Sequence, residues 1–244
     1  MVKLIQLNIE GSRHLARVVP FLENEKPDIV CLQELNEKDI PHILDALGET
    51  AVYVFTPMVR RMVEGSILAQ GSGVFSLLPF RDTLARHYTD IHGLDHIYDH
   101  SDIHQNHKTQ TCAVTGADIE TDDGFIRILT THFTWSVGGE ADEYQRKDVQ
   151  ELLSVLSPLG DFVLTGDFNA PRGREIFTTI AERYEDNVPA KYTTSIDGAL
   201  HRAGDLPYMV DGIFSTSAYE VTDVEMICGV SDHCALIAHI TKKS

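Results

Sequence analysis

A short apolar run, Phe162-Val163-Leu164, breaks off into Thr165-Gly166-Asp167-Phe168-Asn169-Ala170-Pro171 and constrains the fold more than any other stretch of the chain. β-Formers bounded by Gly and Pro read as a buried strand, so Asp167 and Asn169 fall at its carboxyl end. Period-2 alternation sends those two side chains to one side and Phe168 into the core. In open α/β sheets, ligands bind in the crevice beyond the carboxyl ends of the strands. An anionic oxygen donor beside an amide at such an edge suits a hard cation and a phosphoryl oxygen.

Further short strands alternate with helices along the chain. Strands are expected over residues 2–7, 29–32, 52–56, 73–78, 112–119, 125–131, 162–164, 209–214, 219–227 and 234–240. Helical spacing marks residues 15–22, through Leu15, Val18, Val19 and Leu22, and also 40–47 and 143–156. The segment 112–131 reads as a hairpin turning at Asp122-Asp123-Gly124. Two mixed sheets packed face to face, with helices outside, account for this order. No Pro/Gly/Ser-rich linker interrupts the chain, so one α/β domain over residues 1–244 is expected, and 43% hydrophobic residues supply its core.

Charge and cysteine content narrow the classes of function. A formal charge of −17 argues against broad binding along a nucleic-acid backbone, which needs a Lys/Arg footprint. It leaves room for a nuclease with few, cation-mediated contacts. Cys31, Cys112, Cys228 and Cys234 have no CxxC spacing and read as buried free thiols of a reducing compartment. No apolar stretch reaches membrane-spanning length, and residues 2–7 enter a strand without a preceding signal peptide, so a cytoplasmic location is expected.

Polar residues recur where strands stop. They are Asn8-Ile9-Glu10-Gly11, Gln33-Glu34, Thr131-His132, Gly166-Asp167-Phe168-Asn169, Asp211 within Val210-Asp211-Gly212-Ile213-Phe214, and Ser231-Asp232-His233. A lone Asp or Asn after a strand is ordinarily a turn or cap residue, but six such groups at strand ends outrun that explanation. In this order they resemble the signature of the endonuclease/exonuclease/phosphatase superfamily, the deoxyribonuclease I-like group, over nearly the whole chain. His132 after the hairpin strand is similar to the deoxyribonuclease I and sphingomyelinase branches, whereas apurinic endonucleases carry a Tyr-centred motif there. Gly212 stands where the family often has an aromatic residue, and Cys234 follows the final motif where Pro is frequent.

The resemblance implies a four-layered α/β sandwich and divalent-metal-dependent hydrolysis of phosphodiesters or phosphomonoesters. It implies Glu34 as principal metal ligand, with Asp232 and Glu10 beside it. Asn8 and Asn169 would hold phosphate oxygens, Asp167 would position or deprotonate water, and Asp211 would orient His233. His132 would stand beside the scissile group.

The residue types support this independently of the family. Phosphodiesters repel hydroxide, so hydrolysis needs a cation on the phosphoryl oxygens, a base for water and a donor for developing charge. Mg²⁺ or Mn²⁺ suits one or two carboxylates, whereas zinc prefers the compact His/Cys sets that this chain lacks at its strand ends. The expected partner is a small, lipid-derived or nucleic-acid-end phosphoester, and the chain is expected to be a monomer. A nuclease acting on DNA or RNA ends is the alternative activity, and a noncatalytic scaffold of the same fold the alternative class.

Four other groups bear on specificity. Arg172 and Arg174 follow the central strand and are placed to meet a second phosphate or simply to cover surface. Six of the twelve histidines lie between His87 and His107, and His96, His100 and His104 would share a face of any helix there. That segment reads either as a substrate-contacting insertion or metal site, or as a solvated loop. Arg146 and Gln150 share a helix face suited to supporting the sheet, and Trp135 is placed either to stack on substrate or to anchor its loop.

Overall fold

A computed structural model describes residues 1–63, 65–122 and 124–243. The first half contains β1 (Val2–Asn8), α1 (Leu15–Glu25), β2 (Ile29–Asn36), α2 (Ile40–Leu47), β3 (Val52–Val63), β4 (Ser66–Ser76) and β5 (Phe80–His87). The second contains α3 (Ile103–Lys108), β6 (Ala113–Thr121), β7 (Gly124–His132), α4 (Glu143–Leu156), β8 (Val163–Asp167), α5 (Glu175–Ala181), β9 (Glu185–Asp186), β10 (Asp211–Ser215), β11 (Tyr219–Ile227) and β12 (Ala235–Lys242).

The strands form two six-stranded sheets, in the orders β11-β12-β1-β2-β4-β3 and β5-β6-β7-β8-β10-β9. Each sheet has one parallel pair, β1 with β2 and β7 with β8, and antiparallel neighbours elsewhere. A parallel pair needs a crossover connection, which α1 supplies to the first and α4 to the second. The carboxyl ends of both pairs face the same end of the molecule, as the contacts between their residues show below.

Three apolar clusters define the layers. Leu4, Cys31, Ile128, Val163, Ile213 and Leu236 pack between the sheets. Val18, Leu22 and Ile43 seal α1 and α2 onto the first sheet, and Leu152, Leu156, Phe177 and Ile180 seal α4 and α5 onto the second. The result is helix, sheet, sheet, helix, the four-layered sandwich that the sequence anticipates. β1 is buried along almost its whole length because both its faces are covered.

Helix ends follow local chemistry. The Asp142 side chain accepts from Gln145 N and opens α4, while Lys26, left-handed at φ 50°, closes α1 with its N–H on Leu22 O. The β6–β7 hairpin joins Thr121 to Gly124 as expected, although Asp123 of its expected turn lies outside the described residues.

The cysteines correct one expectation. Cys31 and Cys112 are buried free thiols, each pushed up to about 12 chiefly by burial. Cys228 and Cys234 instead form a disulfide across a Cα–Cα distance of 4.2 Å. Their six-residue separation resembles no standard motif, and it encloses Ser231-Asp232-His233. The pair also removes the thiol argument for a reducing compartment. Closing so short a loop contributes roughly 2 kcal/mol on loop-closure entropy. Reduction, or Cys228→Ser, is expected to lower the urea midpoint accordingly, and an unchanged midpoint would rule that contribution out.

Candidate active site

Strand register aligns the first part of the site. In β7, β8 and β10, His132 lies opposite Asp167 and Asp167 opposite Asp211, so three adjacent strands carry these side chains in one row. Gly166, one residue earlier, makes that alignment possible. A Cβ there would lie 2.1 Å from the Thr131 carbonyl oxygen. Gly166→Ala is therefore expected to cost about 3 kcal/mol, as overpacking against fixed backbone does. Chemical denaturation measures it, and a loss below about 1 kcal/mol would contradict this close approach.

The first sheet meets that row from the other side. Asn8 Nδ2 donates to Asp167 Oδ2 at 3.0 Å and to Glu34 Oε1 at 3.4 Å, while Asn8 Oδ1 accepts from Glu10 N. The amide expected to hold phosphate thus ties two carboxylates together. Beneath it, Gln6 Nε2 donates to Asp211 Oδ1 at 2.9 Å and to Gln33 Oε1 at 2.8 Å, and Gln33 Nε2 donates to Thr130 Oγ1. This buried chain crosses the intersheet core and fixes one sheet against the other. Gln6 lies two residues before Asn8, so strand alternation alone could have found it.

Glu34 owes its direction to a local irregularity. The β2–β4 register shifts between Leu32 and Leu35, and Glu34 adopts the left-handed conformation at φ 53°. Such a bulge re-aims a side chain out of the regular pleat. Glu10 and Asn169 are left-handed as well, at φ 47° and 48°. Three of the five non-glycine residues with positive φ among the described residues thus fall at this one cluster, and such strain tends to gather at functional sites.

His233 completes the row. Its Nδ1–H donates to Asp211 Oδ2 at 2.7 Å, and its Nε2 lies 3.7 Å from Asp167 Oδ2. Burial would push this imidazole down, but the Asp211 and Asp167 carboxylates override it and hold the group well above its usual range. His132 Nε2 lies 3.5 Å from the same Asp167 oxygen. Asp167, buried, also accepts from Asn169 N at 2.8 Å.

A second cluster lies alongside. Donor atoms of Glu10, His14 and Asp232 fall within 4.8 Å of one another. Burial, with the charges of Glu10 and Glu34, raises Asp232 to about 6 against the opposing pull of His233. Two carboxylates and an imidazole thus converge, with the charge of Glu34 acting on the same group, and these oxygen donors fit a hard divalent cation. Glu10 Oε1 also pairs with Arg13 and Arg202, each at 3.2 Å, and its Oε2 meets His14 at 3.1 Å.

Other expected residues sit differently. Arg172 is paired with Asp186 at 2.8 Å and donates to the Val188 carbonyl, so it serves as a brace for the 186–192 loop rather than a free phosphate ligand. Arg174 is held by Glu140 and the Gly138 carbonyl. The Asn169 side chain donates to Phe133 O. The helix residue supporting this corner is Gln145, which donates to Thr134 O and Asn169 O, while Arg146 pairs on the surface with Glu175. Trp135 is exposed. Gly212 abuts the rings of Phe168 and Phe214, which fill the space its missing side chain would take.

His14, His201 and Arg202 belong to no strand-end motif and are additions from the structure. Ala203 N donates to His201 Nδ1, and burial together with the charges of His233 and Arg202 lowers this imidazole. The loop carrying it is fastened to the final motif through Asp197, whose N–H donates to Asp232 O and whose Oδ2 accepts from Gly229 N.

Sheet order, layers and this row of side chains define a deoxyribonuclease I-like fold. The sequence profile of the Endonuclease/Exonuclease/phosphatase family matches residues 5–233, and the chain belongs to that family. A family member from Beutenbergia cavernae superposes with a TM-score of 0.75 at 16% identity, over 100% of this chain and 72% of its own. The human nocturnin catalytic domain, solved with bound sulfate, gives 0.72 at 17% identity over 99% and 93%. A mannosyl-6-phosphatase from Bacteroides thetaiotaomicron gives 0.71 at 11% identity over 99% and 100%. No curated protein matches the chain. Among the described residues, no helix is long and apolar enough to cross a membrane.

Proposed function

We propose that the chain is a divalent-cation-dependent phosphoesterase that hydrolyses a small or lipid-derived phosphodiester or phosphomonoester. The observation that supports this reading is Asp167, set among two imidazoles and the Asn8 amide that also reaches Glu34, with Glu10, His14 and Asp232 clustered in the same site. Glu34 and Asp232, with Glu10, would hold Mg²⁺ or Mn²⁺, which supplies charge neutralisation at the phosphoryl oxygens. Asp167 accepts the proton of the attacking water. Asn8 keeps the Asp167 carboxylate in place. His233, held charged by Asp211, donates from Nε2 to a phosphoryl or leaving oxygen, and His132 does so from the opposite side. Asn169, whose side-chain amide also donates to Phe133 O, would offer its second amide hydrogen to another phosphoryl oxygen.

The family's hydrolytic members and the phosphatase among the similar folds support an activity on phosphoesters. The charge of −17 favours small substrates over long nucleic acids. Purified protein with Mg²⁺ or Mn²⁺ is to be assayed on bis-p-nitrophenyl phosphate, p-nitrophenyl phosphate, inositol phosphates, sphingomyelin and oligonucleotides. Cation-dependent turnover that Asp167→Asn removes is the expected result. No turnover on any substrate, or equal turnover by the variant, would overturn the reading in favour of a noncatalytic scaffold. Turnover confined to oligonucleotide ends would move it to a nuclease.

A further inference from the structure

The histidine-rich stretch forms an ordered cap over one side of the site. Residues 88–112 leave the second sheet between β5 and β6, and the Tyr88 N–H to Cys112 carbonyl bond closes their neck. Tyr88 OH meets Thr131 Oγ1 at 3.0 Å, one residue from His132. The far end reaches the free edge of the first sheet, where Tyr98 N donates to Arg60 O and Thr111 N to Met58 O. His104 and His107 hold Tyr144 on α4, by a 2.8 Å hydrogen bond and by stacking at 3.8 Å. Only His104 and His107 lie in α3, so His96, His100 and His104 share no helix face.

Tyr98 is the part of this cap on which the charge of Glu34 acts. Its ring carries the Arg61 guanidinium at 4.5 Å, and its hydroxyl accepts from Asn106 Nδ2 at 2.7 Å. The charges of Arg61, Glu34 and Arg202 all act on that phenol. Arg202 in turn reaches Glu10 at 3.2 Å. Arg61 Nε is buried and has no hydrogen-bond partner among the described residues. An unsatisfied buried donor on a cation is costly, and an oxyanion is the acceptor that suits it. The charge of Arg202, which acts on the same phenol, adds to that preference in a chain of net charge −17.

We propose that Arg61, stacked on Tyr98, and Arg202, at the Glu10 carboxylate, form an anion subsite that binds a second phosphate of the substrate beside the scissile one. The proposal deepens the phosphoesterase reading and rests on it for the word substrate. The cap then acts as the specificity element, because it holds Tyr98 under Arg61 and bridges from β3 of the first sheet to Thr131, next to His132, in the second.

The test compares the p-nitrophenyl ester of thymidine 5′-monophosphate with the same ester carrying a 3′-phosphate. Wild type is expected to prefer the second by about tenfold or more in kcat/KM. Arg61→Gln should bring that ratio close to one, and Arg61→Lys should restore part of it. Arg61 is the position of choice because Arg202 also contacts Glu10. Calorimetric binding of thymidine 3′,5′-bisphosphate against thymidine 5′-monophosphate, without added cation, reads the subsite independently of turnover. Equal binding of the two by wild type, or a preference that survives Arg61→Gln, would overturn the subsite. Intact discrimination in binding with no hydrolysis of either ester would keep the subsite and overturn the phosphoesterase reading instead.

Discussion

Asp167→Asn is expected to lower kcat by about 10³-fold, the scale of a lost general base. An amide cannot take the water's proton, yet it is nearly isosteric with the carboxylate. The replacement oxygen can still accept from Asn169 N, as Oδ1 does at 2.8 Å. Its new NH₂ group faces the Asn8 amide nitrogen, which now donates to Oδ2 at 3.0 Å. One donor-to-donor contact is therefore created, costing about 1–2 kcal/mol of stability. Loss of a charge beside His233 also removes part of what holds that imidazole protonated. Steady-state kinetics and a melting curve together separate the two effects. A folded variant that keeps more than half of the wild-type rate would remove Asp167 from the role of base.

Glu34→Gln is expected to have the other large effect, by weakening cation binding. Neutralising the oxygen donor proposed to hold the cation would give up several kcal/mol of charge stabilisation, or about 10³-fold in kcat/KM at a fixed cation concentration. Gln preserves an acceptor for the 3.4 Å contact from Asn8. It also lifts one of the negative charges that raise Asp232, so without cation the variant should melt no lower than wild type. Added Mg²⁺ or Mn²⁺ should raise the melting temperature of wild type and move the variant much less. An equal shift in both proteins would place the cation elsewhere.

The central strand was readable because Gly166, Asp167 and Pro171 interrupt an apolar run, and its neighbours because each buried strand ends in a polar motif. The family resemblance added roles that spacing alone could not assign. β5, by contrast, reads Phe-Arg-Asp-Thr-Leu-Ala-Arg-His and was missed, because an edge strand needs little apolar surface. α5, seven residues long, carries too little helical pattern to stand out. Arg172 looked like a phosphate ligand because its sequence neighbours are functional, whereas its partner Asp186 becomes adjacent only on folding. His14, Arg202 and the Cys228–Cys234 pair depend on loop geometry that no periodicity encodes. The six clustered histidines drew notice by composition, yet the cap acts through Tyr98 and Tyr144 as much as through them.

Glu10, Glu34 and Asn169 all occupy backbone conformations that glycine adopts without strain. A breeding scheme that rewards thermal endurance alone would therefore drift toward glycine at these three positions. Each step would relieve the backbone but delete a side chain of the proposed site, so any stability gained there is expected to come at the cost of the proposed activity.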